Sequence, residues 1–357
     1  MRRKYSLLAL LFTLTISGVT FAHDNHSHSD DHSELYHVEK DTRTEIKETI
    51  AHHLKDSHSF ELFHGVSFPL PIILWDDGLH VFMSSSFHHG EAVAESNGNY
   101  YFMDHGKIYS TDPEGTLVYD DHHHALNDKP LDLSITKNVF VVMLMCLLLF
   151  FLFTALSKSY RKGPIPSGFG RLLEPLVLFI RDDIAIPNIG EKHYKKYMSY
   201  LLTVFFFIWF MNLAGMTPLG INVTGNIAVT FALALITYFI TQFTANKNYW
   251  GHIFWMPGVP VPMKIVLMPI ELLGTIIKPF SLMIRLYANI TAGHVVLMAL
   301  IGLVYMAGNV LASGAFYGLT LFLGLIELLV AFLQAYIFTM LTALYFGAAV
   351  EEHHDEH

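Results

Sequence analysis

The sequence predicts an all-α polytopic membrane protein with a small β-rich module in front of its membrane helices. Hydrophobic residues make up 52% of the 357 residues and charged residues only 15%, which excludes an ordinary soluble domain. The polar residues are concentrated at the front, since sixteen of the 22 histidines lie between His23 and His124. Apolar segments follow, separated by loops in which lysine and arginine recur on alternate sides. We therefore expect about five membrane helices and one interfacial helix.

The first 22 residues have the layout of a secretory signal peptide. Arg2-Arg3-Lys4 form the basic region, residues 7–19 the apolar region, and Thr20-Phe21-Ala22 a cleavage site before His23. The short apolar region and the strongly polar residues after it favour cleavage over the alternative, an uncleaved anchor helix. Cleavage would leave the new N-terminus on the outer side of a bacterial inner membrane.

Two further regions precede the membrane domain. Residues 23–58 are rich in His, Asp, Ser and Glu, which predicts a flexible segment with a short helix at residues 46–54. Residues 59–130 predict a small extracytoplasmic β-rich module, because short β-type runs alternate with turn signals. The runs lie at residues 68–75, 78–83, 100–103 and 117–119, and the turns contain Gly78, Gly98, Gly106 and Gly115.

Several histidine groups in these regions have spacings that can bind zinc, copper or nickel. They are His26-x-His28, His52-His53, His88-His89 and His122-His123-His124. No cysteine supports them, since the only cysteine, Cys146, lies in an apolar run and also has no partner for a disulfide. Adventitious metal binding or proton buffering is the favoured interpretation, and we predict neither a specific metal site nor a cofactor.

Residues 131–352 predict the membrane domain, followed by an acidic tail at residues 353–357. A first span at residues 138–156 ends at basic residues that mark the cytoplasmic side: Lys158, Arg161 and Lys162. Residues 171–186 contain five charged side chains, which predicts an interfacial amphipathic helix rather than a span. Spans at residues 200–213 and 227–243 follow, and the same rule places the C-terminus in the cytoplasm.

The last two apolar segments are too long for upright membrane helices. Residues 280–307 and 316–350 would form helices of about 42 Å and about 50 Å at 1.5 Å per residue. The hydrocarbon core of a bilayer is about 30 Å thick, so these helices are predicted to tilt, kink or run partly along the surface. A short loop joins them, which predicts an antiparallel pair.

Arg285 lies inside an apolar segment long enough to cross a bilayer. A guanidinium at membrane depth costs several kcal/mol or more, and arginine cannot lose its proton to avoid that cost. Such a residue is tolerated where it faces water or an acidic partner, so ion passage is the first hypothesis. The alternative is an arginine that reaches a headgroup, but at least one turn of apolar residues flanks Arg285 on each side.

The residues around Arg285 resemble the hallmark of subunit a of F-type ATP synthases. They are Ser281, Arg285, Leu286, Asn289 and Ala292-Gly293-His294. A second stretch, residues 327–345 with Gln334-Ala335-Tyr336-Ile337-Phe338 at its centre, is similar to the last helix of that family. The resemblance covers roughly residues 130–352, and the first 130 residues or so have no counterpart in the minimal family pattern.

Spacing and the resemblance together identify the candidate site residues. Arg285 and Asn289 are four residues apart and share a helix face, and Glu271 shares it if the kink at Pro279 is mild. The alternatives are a helix–helix hydrogen bond for Asn289 and an interfacial acid for Glu271.

His294 and Glu327 are candidate partners for proton exchange. Burial and pairing can bring their pKa values toward one range. Some family members carry the two residue types in exchanged positions, which supports the pairing; a structural hydrogen bond is the alternative. We expect Gln334 to position Arg285 or a water molecule. Asn212 matches an asparagine that the family often shows, whereas Gly215 stands where some members carry an acid.

The resemblance implies a stator subunit that conducts protons through two offset half-channels to and from the carboxylates of a rotating c-ring. It implies as partners the c-ring, the peripheral stalk subunit b and the remaining ATP synthase subunits, besides lipid and protons. Nothing resembles a phosphate-binding loop, so this subunit is expected to be non-catalytic, and no nucleic-acid partner is expected. The competing hypothesis is a metal-ion transporter whose histidine-rich front collects metal. A third, a periplasmic binding module with a membrane anchor, conflicts with the number of spans.

Overall fold

A computed structural model describes residues 56–63, 66–90, 92–104, 106–120, 125–161, 163, 168, 170–217, 221–256 and 259–351. The chain divides into two compact units, Met1–Met143 with Thr217–Asn222 and Leu144–Met216 with Val223–His357. The predicted signal peptide, the predicted helix at residues 46–54 and the acidic tail after Glu351 lie outside the described residues.

The first unit contains the expected β-rich module, built from three small antiparallel sheets. Strands β1 (Ser59–Phe63) and β2 (Val66–Pro69) pair with each other. Strand β3 (Pro71–Trp75) lies between β4 (Leu79–Met83) and β8 (Leu131–Asp132). Strands β5 (Ala94–Ser96), β6 (Asn99–Asp104) and β7 (Lys107–Thr111) form the third sheet. The core between them consists of Ile72, Leu74, Phe87, Ala94, Tyr101 and Ile108.

The turn signals of this module correspond to backbone that only certain residues adopt readily. Asn97 and Gly98 join β5 to β6, and both have positive φ, 52° and 86°. The two-residue hairpin turn that Asn-Gly favours requires positive φ at both of its residues. The local sequence therefore determines the pairing of Ser96 with Asn99 across this hairpin.

Two of the predicted β runs differ from the structure. The run at residues 68–75 is split at Leu70, because the flanking prolines lack the N–H that a continuous ladder needs. The Leu70 N–H instead donates to Ser84 Oγ at 3.1 Å. The prediction of a strand at residues 117–119 is wrong: only an isolated bridge from Tyr119 to Ala125 forms there.

The second unit and the helix that leads into it account for the predicted membrane spans. Helix α1 (Lys137–Tyr160) is followed by α2 (Gly170–Phe179), a π-helical turn at Ile180–Ala185 and α3 (Ile186–Ile189). Then come α4 (Tyr194–Gly215), α5 (Ile227–Thr244), α6 (Lys247–Phe254), α7 (Val261–Met306) and α8 (Val310–Val350). Within the described residues, five helices are long and apolar enough to cross a membrane, namely α1, α4, α5, α7 and α8. The expectation of about five spans is confirmed, and the segment from α2 to α3 is not among them.

Helices α7 and α8 are even longer than predicted. Their 46 and 41 residues correspond to about 69 Å and about 62 Å, roughly twice the hydrocarbon core. The sequence interpretation started the first of them near residue 280, after Pro279. The structure starts it at Val261, because Pro269 and Pro279 lie inside the helix without ending it, as membrane helices allow. Helix α8 packs against α7, α4 and α5.

Residues just before β1 cap the first membrane helix. The Asp56 carboxylate accepts a hydrogen bond from the backbone N–H of Asn138 at 3.1 Å, and the Ser57 carbonyl accepts one from that of Lys137 at 2.8 Å. The first N–H groups of a helix have no partner within it, so these bonds satisfy two of them. The rings of Phe60 and Phe140 are in contact, with centroids 5.8 Å apart. The β-rich module is thus fixed to the first turn of α1.

A contact between a histidine and a carboxylate lies next to this cap. His58 is buried, and its Nε2 lies 3.3 Å from Oδ2 of Asp132. Burial of the Asp132 carboxyl opposes its ionisation, but hydrogen bonds from His58 and Ser134 outweigh burial and lower the pKa of Asp132 below its ordinary value. The charged form of Asp132 therefore stabilises the junction between β8 and the capping segment.

Candidate functional site

The candidate polar side chains lie along the interface between α7 and α8. Asn289 Nδ2 donates a hydrogen bond of 2.8 Å to Gln334 Oε1. Five residues further along α7, His294 Nδ1 lies 3.1 Å from Glu327 Oε1. Because the two helices run antiparallel, residues of increasing number in α7 meet residues of decreasing number in α8. The structure therefore brings together His294 and Glu327, and it joins Gln334 to Asn289 where the sequence interpretation had paired Gln334 with Arg285 or water.

The contact between His294 and Glu327 is buried but incompletely bonded. Their side chains are only 8% and 10% exposed. The two atoms are within ion-pair distance, yet they are not aligned for a hydrogen bond, and Glu327 Oε1 and His294 Nε2 are buried without a hydrogen-bond partner among the described residues. Buried polar atoms in proteins are almost always bonded to protein or water. This pair thus has two buried polar atoms to which a water molecule could bond.

Gly293 makes the close approach of Glu327 possible. A Cβ atom at residue 293 would lie 3.0 Å from Glu327 Oε1 and 3.3 Å from its Cδ. Both distances are shorter than ordinary van der Waals contact, so any larger residue would displace the carboxylate. The glycine beside His294 therefore sets the distance between the histidine and the carboxylate.

Arg285 lies near the middle of α7, 24 residues after its first residue. Its side chain is half-buried, and among the described residues none forms a hydrogen bond or an ion pair with its guanidinium. Its positive charge is close enough to act on the hydroxyl group of Tyr345 in α8. A permanent cation at this depth needs water or an anionic partner, and neither is supplied by the described side chains.

A small cavity lies toward the start of α7. It offers about 10 Å³ for the centres of water molecules, which is about what one water molecule requires. Lys278 Nζ lies 5.5 Å from the centre of the Tyr345 ring beside it. The polar residues that line the cavity come from α5, α6, α7 and α8: Thr237, Tyr238, Thr241, Gln242, Tyr249, Thr275, Lys278 and Tyr345.

The sequence interpretation missed this cavity. Two spacings could have indicated it: Lys278 precedes Arg285 by seven residues, about two helical turns, and Thr237 and Thr241 are four residues apart on α5. Both patterns place polar side chains on one face of an otherwise apolar helix.

Glu271 is half-buried and is not among the residues that line the cavity. Its charge acts on the hydroxyl group of Tyr249, which does line the cavity. Burial raises the pKa of Tyr249, which the hydrogen bond with Gln242 opposes and the charge of Glu271 reinforces. Helix α7 is continuous through Pro279, as the proposal of a shared face for Glu271 and Arg285 requires.

Asn212 connects α4 to α8. Its side chain is 2% exposed, and Nδ2 donates a hydrogen bond of 3.3 Å to the carbonyl of Ala331. Its Oδ1 is buried without a partner among the described residues. Ala331 follows Glu327 by one helical turn, so this unsatisfied oxygen lies at nearly the same level of α8 as the pair of His294 and Glu327.

These features define a class of protein. A bundle of membrane helices that holds a fixed cation, a buried pair of titratable side chains and a polar cavity is typical of proteins that move ions across membranes. Residues 139–347 match the ATP synthase A chain family, and the chain belongs to that family.

Individual relatives agree with this assignment. The chain is 42% identical over 239 residues to ATP synthase subunit a of Myxococcus xanthus, covering 65% of this chain and 79% of that protein. It is 40% identical over 280 residues to ATP synthase subunit a of Pelodictyon phaeoclathratiforme, covering 75% of this chain and 80% of the relative. It is 40% identical over 278 residues to ATP synthase subunit a 2 of Chlorobaculum tepidum, with 74% and 77% covered. Residues 49–133, by contrast, match a domain of unknown function, DUF8433.

Proposed function

We propose that this chain conducts protons as the stator subunit of a rotary ATP synthase, through two offset half-channels that meet the carboxylates of a rotating c-ring. The observation that supports this most directly is the position of Arg285. Along α7 it lies between two separate polar sites, the pair of His294 and Glu327 on one side and the cavity beside Lys278 on the other. A fixed cation between two hydrated sites is the arrangement that an ion path with a central barrier needs.

The outer half-channel would lead past Asn212 to His294 and Glu327. A histidine and a carboxyl group can each hold a proton, and Nδ1 of His294 lies 3.1 Å from Oε1 of Glu327, so a proton would pass between them over a short distance. The buried atoms that lack a partner, on Asn212, His294 and Glu327, are the positions where water molecules would complete the path. A proton delivered here would neutralise a ring carboxylate.

A neutral carboxyl can then turn toward lipid, because the large cost of burying its charge is gone. Arg285 acts at the end of that rotation. Its positive charge favours the ionised carboxylate and therefore drives release of the proton. Because arginine keeps its charge, it also opposes direct passage of protons from one half-channel to the other.

The inner half-channel would start at the cavity beside Lys278 and Tyr345 and leave past Glu271. Several polar side chains border this cavity, which has room for about one water molecule, and they would begin a path that apolar helices alone would not provide. The driving force is about 2.3 kcal/mol per elementary charge per 100 mV of membrane potential, together with the pH gradient. Nucleotide chemistry belongs to other subunits of the complex.

The proposed topology has the N-terminus outside after signal cleavage and the C-terminus in the cytoplasm of a cell whose inner membrane holds the complex. The five candidate spans among the described residues are an odd number, which supports two ends of the membrane domain on opposite sides. The end of α8 meets the start of α6, since Asn246 N–H donates to the Ala349 carbonyl at 2.8 Å. Lys247 follows directly, and a basic loop favours the cytoplasmic side. Besides the c-ring, the proposed partners are the stalk subunit b and the remaining subunits.

Substitution of Arg285 tests the proposal. In inverted vesicles, Arg285→Ala should abolish ATP synthesis driven by a proton gradient, and Arg285→Lys should not restore it, because an ammonium can lose its proton and lacks the guanidinium fork. Lys264→Ala removes a cation from the same helix, far from Arg285, and should leave synthesis close to normal. Near-normal synthesis by a correctly assembled Arg285→Ala complex would refute the proposed role.

The metal-transporter hypothesis has no specific observation in its favour. The described residues hold no group of three or more His, Cys, Asp or Glu side chains that could bind a metal ion. Membership of the ATP synthase A chain family favours proton conduction instead.

A further inference from the structure

One sheet of the β-rich module is apolar on the face that points away from its core. Six side chains on this face are 42% to 61% exposed. They belong to the sheet β4–β3–β8 and to Leu133, which follows β8 directly: Trp75, Leu79, Val81, Met83, Leu131 and Leu133. On the opposite face, Ile72 and Leu74 are fully buried in the core. Antiparallel sheets with one solvated face normally alternate apolar and polar residues along each strand. Here both faces are apolar, so the outward one, called the outer sheet face below, is not built for water.

The strand register arranges the outer sheet face in rows. Trp75 lies opposite both Leu79 and Leu131. The next row holds Val81 opposite Ile73, whose carbonyl accepts a hydrogen bond of 2.9 Å from the Leu133 N–H.

A third row completes the face. Met83 lies opposite Pro71, and the Pro71 carbonyl accepts a hydrogen bond of 3.1 Å from the Ile135 N–H. None of the positions in the three rows is charged. A contiguous exposed apolar surface of this kind marks an interaction site.

The third row lies immediately beside the first membrane helix. Only Thr136 separates Ile135 from Lys137, where α1 begins. The cap by Asp56 and Ser57 and the ring contact of Phe60 with Phe140 fix the module to that helix start. The 24 residues of α1 measure about 36 Å, slightly more than the thickness of the hydrocarbon core, so an upright α1 would have Lys137 at the boundary of that core. The outer sheet face thus ends, along the chain, two residues before the helix start that would mark this boundary.

We propose that the outer sheet face lies flat in the headgroup region of the bilayer, so that its occupant is lipid. Headgroups extend about 5–8 Å beyond the hydrocarbon core on each side. Leu131 is four residues from Ile135 along an extended strand, about 13 Å away. An upright sheet would leave the row of Trp75 and Leu131 in water, whereas a flat sheet places all three rows at the interface. Tryptophan is enriched at that depth, and Trp75 lies at the far edge of the face.

Spin labels on the assembled ATP synthase in lipid nanodiscs test this arrangement. In a Cys146→Ser background, a nitroxide is attached at Val81→Cys or Leu131→Cys, and at Glu95→Cys as a control on an exposed polar position of β5. Collision of each nitroxide with oxygen, which partitions into lipid, and with a water-soluble nickel chelate is then measured. At Val81 and Leu131 we expect a several-fold lower nickel collision rate than at Glu95, with a higher oxygen collision rate.

Each other outcome overturns the proposal. Nickel accessibility at both positions equal to that at Glu95 would show a face exposed to water. A lipid-like signal at Met83→Cys but a water-like signal at Leu131→Cys would show an upright sheet. Protection from both reagents would show that protein covers the face, whether residues 23–55, a second copy of this chain or another subunit.

Quenching by brominated lipid supplies a label-free measurement. Trp75→Phe should remove a part of the tryptophan fluorescence that brominated lipid can quench. An unchanged quenchable fraction would contradict lipid contact.

Discussion

Gly293→Ala should slow proton conduction without destabilising the protein. The added methyl carbon would lie 3.0 Å from Glu327 Oε1, so the carboxylate must retreat by several tenths of an ångström. That shift lengthens a contact with His294 Nδ1 that is now 3.1 Å. Misplacement of a reacting group by 1 Å can cost about 100-fold in rate, so about half that displacement predicts roughly a tenfold loss. This corresponds to about 1.4 kcal/mol in the barrier. Alanine is the better helix former by about 1 kcal/mol, so the folded helix should be no less stable.

The measurement is passive proton conduction by vesicles that contain the membrane sector, with the thermal stability of the assembled complex measured in parallel. Gly318→Ala is the matched control, because it adds the same methyl group to α8 where nothing lies within 4 Å. The control should conduct normally. Normal conduction by Gly293→Ala would show that the distance between His294 and Glu327 does not limit proton transfer. Loss of stability in step with loss of conduction would show a packing defect instead.

Three further perturbations follow from the same structure. Exchanging the pair, with His294→Glu and Glu327→His in one chain, should retain more proton flux than either single change; a double variant no better than the worse single would show that the two residues are not coupled. Deleting residues 23–55 should leave pumping largely intact with or without a chelator, whereas total loss in an assembled complex, or dependence on added zinc, would show that this segment is not accessory. The pKa of Asp132 is lowered in the folded module, so its stabilising contribution is complete above the unfolded value of 3.8 and is lost as the pH falls through the folded value. The protection of amides at the start of α1, measured by hydrogen exchange and corrected for the slower intrinsic exchange in acid, should therefore fall on acidification, and Asp132→Asn should remove that pH dependence.

The membrane part of the fold could be predicted from the sequence because its signals are long and physical. Runs of apolar residues determine the spans, and basic loops alternate between them. The boundary of α7 could not be predicted in the same way. Pro279 is a breaker in water, but in a bundle of membrane helices its effect depends on which neighbours accept the freed carbonyl. The start of that helix at Val261 is thus a property of packing that local sequence does not contain.

The site shows the same division. The pairing of His294 with Glu327 could be anticipated from their residue types and from the family resemblance. The bond from Asn289 to Gln334 could not, since it depends on the register of two antiparallel helices that no local pattern specifies. The hydrogen bond that uses Gln334 also leaves Arg285 without a partner among the described residues. That consequence makes an anionic partner on another chain a stronger inference than the sequence alone allowed.

The length of α7 gives the two proposed half-channels their lateral separation. Lys278 and His294 are sixteen residues apart, about 24 Å along the helix axis. In an upright helix that distance would be almost entirely depth, and the two polar sites would lie one above the other. A helix of about 69 Å that lay wholly within a core of about 30 Å would instead tilt by roughly 60° from the membrane normal. At that tilt the same 24 Å becomes about 12 Å of depth and about 21 Å of lateral displacement. A tilted α7 would thus supply the offset that the proposed half-channels need, and we expect a shortened α7 to lose that offset even with every polar residue retained.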